Sequence, residues 1–521
     1  MAWSAQEPGA VPKKGEIHLK KSPATVRRRY ILAALLAVAC TGPQGGPGSD
    51  STADWASKIE NQLLPLVVLD GEELPGWTLS ERMEHYGVPG VSVAIVENGE
   101  VVWSHAWGVA DTETGAPVTV ETLFQAASIS KPVAALAALS LVEDGRILLD
   151  APVNDYLTTW TVPENSFTAD SAVTLRGLLT HSAGTTVWGF PGYRKDEPFS
   201  PDRVLASNAQ VLDGEGNTDT VRVYKIPGTS MRYSGGGYTV MEQTLEDITG
   251  RSFSELLAER VLQPAGMTLS TFEQPLPESR WNEASRGHLA DGSEVEGEWH
   301  SYPEQAAAGL WTTPTDLARV TLHLLDILDE DVTDGVLSRE MLLQMLTPNH
   351  EGEEAFSNWG LGFGLMEQDG HAAFGHGGAN KGFRASWSVL RDLELGYVIM
   401  TNGDRGGGLA TEIARAIASV RDWPILAPET RSRVVLDASE MEELTGEYDL
   451  VGAPEFVIDF RAGDNGTLEV IVPGQGTMVF YATSRDEWFD LSDGDVMVIE
   501  RDEQGNVVGA VNDGTTRLVK R

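Results

Sequence analysis

The chain has 521 residues, which is too long for one ordinary domain and predicts two or three. Hydrophobic residues make up 41% and charged residues 22% of the chain, a balance that provides a buried core and excludes wholesale disorder. The formal net charge of −39 opposes binding to nucleic acid and to anionic membrane surfaces, and since the carboxylates are spread along the chain we interpret them as a solvated surface.

The N-terminus has the pattern of an export signal. Arg27–Arg29 precede a short apolar run, Tyr30–Ala39, which is too short to span a bilayer and ends at Cys40, the single cysteine of the chain. A Gly/Pro-rich tether follows over residues 41–53. We predict a signal peptide over residues 1–40 of the lipoprotein type, with lipidation at Cys40 and an exported protein at the periplasm or cell surface. The alternative is an ordinary signal peptide with an incidental cysteine, and the Sec and twin-arginine routes are both open.

Residues 54–425 carry the patterns of a mixed helix and sheet domain. Its first helix is predicted over Trp55–Val67, and the apolar runs Val91–Val96 and Val101–Trp103 predict two strands joined by a turn. The segment Ser128–Glu143 is apolar almost all round, a pattern that is typical of a buried helix.

The rest of this domain returns from helices to strands. Residues 150–320 are predicted to be mainly helix and loop, with a helix that begins after the N-cap Thr313. Strands follow between residues 361 and 401, and a helix is predicted over Leu409–Val420. Because strands from both ends of the domain enclose a helical insertion, the fold class is α/β, with one mixed antiparallel sheet flanked by helices.

Residues 440–521 have a different pattern, with short runs of alternating apolar and polar residues separated by turn signals. They predict a small C-terminal antiparallel β domain, either a sandwich or a barrel. The candidate strands are Phe456–Phe460, Leu468–Val472, Val479–Tyr481, Val496–Ile499 and Val507–Val511.

The first chemical motif is Ser128-Ile129-Ser130-Lys131, at the start of the buried helix. Residues three apart on a helix share a face, so the Lys131 amine reaches the Ser128 hydroxyl. Serine needs such a partner to act as a nucleophile, and the helix N-terminus adds backbone N–H groups at the same place. The alternative is a capped helix start with a snorkelling lysine.

Two further motifs follow in order. Tyr233-Ser234-Gly235 precedes a helix, and a cation beside such a tyrosine would favour its phenolate, which could take the proton of Ser128. His376-Gly377-Gly378 lies between a strand and a glycine turn, where glycines let the backbone approach a ligand closely. The alternatives are a half-buried tyrosine in a Gly-rich turn and a loop histidine without a partner.

Together the three motifs resemble the serine β-lactamase and penicillin-binding-protein superfamily. The order of the motifs and their places at a helix start, before a helix and on a strand carry this resemblance, which is greatest to the class C β-lactamase, D-aminopeptidase and esterase branch and spans roughly residues 55–425. Further segments contribute to it: Thr122–Ser128, Leu178–Gly184, Gly309–Thr313 and Gly378–Arg384.

The resemblance implies a role for each matching residue. Ser128 would be the nucleophile, Lys131 would be hydrogen-bonded to it, and Tyr233 would serve as general base and then as acid toward the leaving group. The N–H groups of Ser128 and Ala379 would form the oxyanion hole. The resemblance thus implies acyl transfer through an acyl-enzyme, with no cofactor and no metal.

The chain departs from the β-lactamase pattern at the residues that would bind the substrate. Gly235 stands where that pattern has Asn, and His376, Gly377 and Gly378 stand where it has Lys-Thr-Gly. The missing groups would hold a substrate amide and carboxylate. We therefore predict a serine hydrolase of esters or amides for which β-lactams are poor substrates.

Other readings of the same motifs stay open. They are a D-amino-acid-specific peptidase or carboxypeptidase that acts on cell-wall peptides, a weak β-lactamase, and a catalytically retired protein that binds peptidoglycan. His181-Ser182 is not expected to form a catalytic pair, since adjacent residues do not face each other. The expected partner is a small ester, amide or peptide, and the sequence predicts no oligomeric state.

Overall fold

The computed structural model describes residues 52–195, 212–214, 219–329, 335–351, 358–473 and 476–521. The predicted signal peptide and Cys40 lie outside these ranges. Within them, no helix combines the length and the apolar character needed to cross a membrane.

Several helices begin where a side chain accepts a hydrogen bond from a free backbone N–H group. Ser234 accepts from the N–H of Gly237, and Thr313 accepts from the N–H of Asp316. The α-helices of the described residues are α1 Thr52–Asn61, α2 Leu79–Tyr86, α3 Ser130–Glu143, α4 Leu175–Leu179, α5 Gly235–Thr249, α6 Phe253–Leu257, α7 Gln305–Ala308, α8 Pro314–Asp329, α9 Arg339–Met345, α10 Gly406–Val420 and α11 Ala438–Leu444.

The strands of the described residues fall into a central sheet, a barrel and three short pairs. In chain order they are β1 Val67–Leu69, β2 Gly90–Glu97, β3 Glu100–Asp111, β4 Ala116–Pro117, β5 Phe124–Gln125, β6 Tyr193–Arg194, β7 His300–Ser301, β8 Trp311–Thr312, β9 His350–Glu351, β10 Asn358–Trp359, β11 Gly364–Gln368, β12 His371–Asn380, β13 Phe383–Leu390, β14 Leu395–Thr401, β15 Glu429–Arg431, β16 Gly446–Leu450, β17 Ala453–Ala462, β18 Leu468–Val472, β19 Gly476–Ala482, β20 Glu487–Asp490, β21 Val496–Arg501, β22 Val507–Asn512 and β23 Thr516–Lys520.

The central sheet has nine strands in the order β4-β3-β2-β14-β13-β12-β11-β10-β9. Its strand pairs are antiparallel, and β2 pairs with β14 in the register Val91↔Thr401. Strands from the two ends of the domain therefore meet at its middle, which confirms the prediction of one sheet built from distant segments. Alternate residues of β2 enter different cores, with Val93 packed on the side of α1 and α10 and Ala94 on the side of α3 and α8.

The predicted buried helix is present, but it begins two residues later than expected. A tight 3-10 turn over Ala127–Ile129 precedes α3, so Ser128 lies in the turn and Lys131 lies in the first turn of the helix. The apolar side chains of α3 are buried around its whole circumference, as the sequence predicts.

The predicted first helix is wrong at its C-terminal end. It ends at Asn61, and Val67–Leu69 forms β1, which pairs in parallel with β15. Pro65 explains the difference, because a proline disfavours helical geometry at the residue before it.

The C-terminal β domain is a closed antiparallel barrel of β16 to β23. Its centre holds Tyr448 stacked on Phe460 at 4.0 Å between ring centroids, with the buried Trp488 nearby in the same core. The barrel alternative of the sequence prediction is therefore confirmed. Three strands, β16, β20 and β23, had no counterpart among the predicted runs.

Candidate active site

Ser128 and Lys131 form the centre of the candidate site. The Lys131 Nζ lies 3.0 Å from the Ser128 Oγ and 2.8 Å from the carbonyl oxygen of Ala307 in α7. Ala127, directly before the serine, has a φ of +50°, in the left-handed region that residues with a side chain rarely adopt. This sharp turn presents the Ser128 hydroxyl at the N-terminus of α3, as the motif predicts.

Lys131 is buried, with 2% of its surface exposed. Burial disfavours the charged ammonium and lowers the pKa of Lys131 to about 7. Among the described residues, no carboxylate contributes to that shift. At neutral pH a large fraction of Lys131 is therefore an amine, which can donate to the Ala307 carbonyl and turn its lone pair toward the Ser128 hydroxyl.

Tyr233 completes the cluster from the end of the loop before α5. Its hydroxyl is hydrogen-bonded to Ser128, and the Lys131 Nζ lies 4.9 Å from the centre of its ring. The expectation that the lysine would favour a phenolate is wrong, because burial dominates and raises the pKa of Tyr233. The resting residue is a neutral phenol.

The third motif lies on β12 and reaches the serine turn through its glycine. A Cβ added to Gly378 would lie 2.1 Å from the carbonyl oxygen of Ala126, so only glycine fits there. The strand therefore passes directly against the turn that carries Ser128. Ala379 has an exposed side chain and directly follows Gly378, the residue at which the strand approaches the serine turn.

His376 lies on the same strand and is a neutral imidazole. Its Nδ1–H donates to the carbonyl oxygen of Gly377. Burial, and to a lesser extent the nearby Lys131, lowers the pKa of His376 to about 3. The residue that stands at the lysine position of the β-lactamase pattern thus supplies no positive charge at neutral pH.

The two other glycines at substrate positions differ in the space around them. A Cβ on Gly377 would meet no described atom closer than the Ala385 carbonyl oxygen at 3.9 Å. A Cβ on Gly235 would lie 2.8 Å from the ring of Phe190 and 3.1 Å from the carbonyl oxygen of Trp188. The space for an asparagine side chain is therefore occupied by an aromatic ring.

Sequence reasoning missed an aromatic group around Tyr233. The ring of His181 lies 4.2 Å from that of Tyr233, and Trp188, the most exposed of the large hydrophobic residues described, lies at 5.8 Å. Trp359 is buried beside both His181 and His376. From the sequence, His181 is expected only not to form a catalytic pair with Ser182, and the spacing of Leu178–Gly184 gives no sign of the contact with Tyr233.

No metal site emerges from the part of the chain that the structure describes. There, no three His, Cys, Asp or Glu side chains come together in an arrangement that could hold a metal ion.

Comparison with known sequences agrees with this arrangement. The sequence model described as Beta-lactamase matches residues 78–422, which include all three motifs. The chain belongs to the β-lactamase family. The family resemblance and the fold that it implied are thereby confirmed, and the relatives below support hydrolase activity.

Relatives of this β-lactamase-family chain include proteins with different activities. A D-aminopeptidase of Brucella anthropi is 28% identical over 344 residues, covering 65% of this chain and 60% of that protein. Penicillin-binding protein 4 of Amycolatopsis lactamdurans is 27% identical, covering 71% and 95%. Esterase EstB of Burkholderia gladioli is 28% identical, covering 60% and 85%. The chain thus spans less than two thirds of the D-aminopeptidase's length.

A solved structure supports the fold over more of the chain. The octameric penicillin-binding protein homologue from Pyrococcus abyssi has a TM-score of 0.59 and 21% identity, covering 85% of this chain and 98% of that one.

Proposed function

We propose that this chain hydrolyses esters or amides through an acyl-enzyme on Ser128. The observation that carries the proposal is the shared contact at one hydroxyl: Ser128 is hydrogen-bonded both to the buried Lys131 and to Tyr233. A serine with two proton-handling partners, at a helix start and beside a glycine strand, has the parts that acyl transfer requires.

The pKa values suggest how the protons move. The neutral Lys131 amine takes the proton of Ser128 as the serine oxygen attacks the carbonyl carbon. The carbonyl oxygen, now negative, is held by the N–H groups of Ser128 and Ala379. Tyr233 donates its proton to the leaving group and recovers one from Lys131. Water then attacks the acyl-enzyme, the same groups move its protons, and Ser128 is released with the acid product.

The substrates that fit this site carry no carboxylate next to the reacting carbonyl. His376 is neutral, Gly377 has no hydroxyl, and the ring of Phe190 occupies the place of an asparagine amide. Uncharged esters lose nothing from these changes, whereas β-lactams lose the groups that would hold their carboxylate and amide.

D-amino-acid amides are the competing substrate class, because relatives of this chain are named D-aminopeptidases. Recognition of a free amino group would call for a carboxylate near the serine. Glu304 directly precedes α7, the helix whose Ala307 carbonyl contacts Lys131, but burial raises the pKa of Glu304 to about 8. This carboxyl is therefore mostly uncharged at neutral pH, which favours uncharged esters over a substrate that carries an ammonium group.

The test is covalent labelling followed by intact-mass measurement. We expect a fluorophosphonate to add one adduct, mapped to Ser128, and p-nitrophenyl butyrate to be hydrolysed. Ser128→Ala should lose both while keeping its melting temperature, and D-alanine p-nitroanilide and a penicillin in the same panel assess the rival substrates. An adduct that persists in Ser128→Ala would refute the proposal.

We further propose that the protein is exported and held at a membrane by a lipid on Cys40. The single cysteine after a short apolar run and before a Gly/Pro-rich tether supports this proposal.

A further inference from the structure

We infer that His181 is a positioning residue that holds Tyr233 against Ser128. The inference rests on the proposed function, since it assigns a task within that acyl transfer. The contacts of His181 with Tyr233 and with the two residues beside it are those of a residue that acts by positioning the tyrosine.

Three contacts connect His181 with the residues on both sides of Tyr233 and with Tyr233 itself. The backbone carbonyl of His181 accepts from the N–H of Arg232 at 2.7 Å. Its ring Nδ1 accepts from the N–H of Ser234 at 3.1 Å. Its ring faces the Tyr233 ring, with centroids 4.2 Å apart and planes inclined by 32°. One residue thus fixes the backbone on both sides of Tyr233 and one face of its ring.

The conformation of His181 is itself tightly constrained. Its φ of +56° lies in the left-handed region, which is unfavourable for most residues with a side chain. The backbone after it is held by the N–H groups of Ser182 and Ala183, which both donate to the carbonyl of Gly177 at 2.8 and 2.9 Å. A strained residue persists only where its surroundings fix it, and such residues cluster at functional sites.

The hydrogen bond from Ser234 also decides which tautomer His181 adopts. Because Nδ1 accepts the hydrogen bond from the Ser234 N–H, the neutral ring carries its own hydrogen on Nε2. The ionisable groups that face the ring are Lys131, His376, Tyr233 and Tyr238. Burial, followed by the proximity of Lys131 and His376, keeps the pKa of His181 well below its ordinary value. The acceptor is therefore available throughout the pH range in which the enzyme would work.

Two substitutions separate the contacts of the ring. His181→Phe keeps an aromatic ring beside Tyr233 and loses the acceptor for the Ser234 N–H. His181→Asn keeps an acceptor near the Nδ1 position, tolerates a left-handed φ and loses the ring. His323→Phe is the matched control, because His323 accepts the N–H of Val336 at 3.0 Å in a part of the chain away from the site.

The measurement separates the rate of labelling from its final extent. A fluorophosphonate is added to each full-length variant, and both the second-order rate constant and the adduct per chain are determined by mass. We expect both His181 variants to reach full labelling with rate constants reduced roughly 10²-fold, the lower part of the range for general acid–base catalysis. With p-nitrophenyl butyrate, kcat should fall while KM is unchanged. His323→Phe should keep the native rate constant.

Combination with Tyr233→Phe tests whether His181 acts through the tyrosine. In that background the His181 substitutions should change the residual labelling rate little, because the group that they position is gone. Multiplicative losses in the double variants, or native rate constants with reduced labelling, would overturn the inference. If His181→Phe does not fold, His181→Asn alone decides. Failure of the native chain to label at Ser128 would instead refute the proposed function.

Discussion

The Cα of Gly378 lies so close to the carbonyl oxygen of Ala126 that a Cβ would come within 2.1 Å of that oxygen. This approach brings β12 against the turn that carries Ser128. The candidate oxyanion hole, formed by the N–H groups of Ser128 and Ala379, therefore depends on the absence of one methyl group.

Substitution by alanine should be harmful at one of two neighbouring glycines on β12 and nearly without effect at the other. Gly378→Ala would push the strand away from the serine turn, and we expect a destabilisation of about 1–3 kcal/mol together with a loss of roughly 10²-fold or more in the labelling rate. Gly377→Ala is the control, since its Cβ would have free space, and its stability should change by no more than about 0.5 kcal/mol. Melting curves and fluorophosphonate kinetics measure both effects, and equal behaviour of the two variants would contradict the close approach.

The labelling rate should rise with pH through the pKa of Lys131, which is about 7. The amine form accepts the Ser128 proton, so protonation of Lys131 below that pKa should slow labelling by about tenfold per pH unit. His376, with a pKa of about 3, does not titrate in this range. An uncharged fluorophosphonate, measured between pH 5 and pH 9, gives the profile. A flat profile over that range would exclude Lys131 as the base.

Short acyl esters should be better substrates than carboxylate-bearing β-lactams. A hydrogen bond to a charged group typically contributes about 1.5–3 kcal/mol, so two such losses lower reactivity by several powers of ten. We expect p-nitrophenyl acetate and butyrate to be hydrolysed far faster than nitrocefin or penicillin. The measurement is kcat/KM for each, and efficient nitrocefin hydrolysis with esters untouched would contradict this substrate class.

The same reasoning predicts that carboxylate recognition can be increased. His376→Lys adds a charge, and Gly377→Thr adds a hydroxyl where the structure leaves room, so the double variant should raise the nitrocefin-to-ester ratio of kcat/KM. Gly235→Asn is the contrasting variant, because its side chain would collide with the ring of Phe190. We expect it to lower labelling without changing that ratio.

Membrane attachment should depend on Cys40. If this cysteine carries the lipid, Cys40→Ser should move the protein from the membrane fraction to the soluble fraction, as followed by fluorophosphonate labelling of each fraction. Cys40→Ala should behave in the same way. A native mature chain that begins after Cys40 and carries no lipid would rule out the anchor.

The elements that carry motifs could be predicted because their signals are local. Apolar residues all round the segment after Ser128 predict a buried helix, and Thr313 before Pro314 predicts a helix start. The alternating runs after residue 440 predict a β domain, although the domain boundaries themselves stay a prediction. Barrel closure could not be predicted, because it depends on the pairing of β16 with β23 at opposite ends of that region.

The electrostatics of the site could not be predicted, because they depend on burial. The sequence places a lysine near Tyr233, which suggests a lowered tyrosine pKa, but the surrounding aromatic rings exclude water and raise it. The contact between His181 and Tyr233 joins residues more than fifty positions apart. Periodic patterns in a sequence indicate contacts within one helix or strand, so they could not predict this one. The position of Phe190 could not be predicted either. Its ring lies where a side chain at Gly235 would go, which explains why a glycine stands there.

The pairing of β2 with β14 has a consequence for the order in which the chain folds during synthesis. Val91 and Thr401 are partners, so the sheet cannot close until the ribosome has made more than three hundred residues after β2. At about 5–20 residues per second, β2 keeps an open edge for tens of seconds, and contacts between such distant segments form slowly. The apolar strand Gly90–Glu97 is therefore a segment of the newly made chain that needs protection from aggregation.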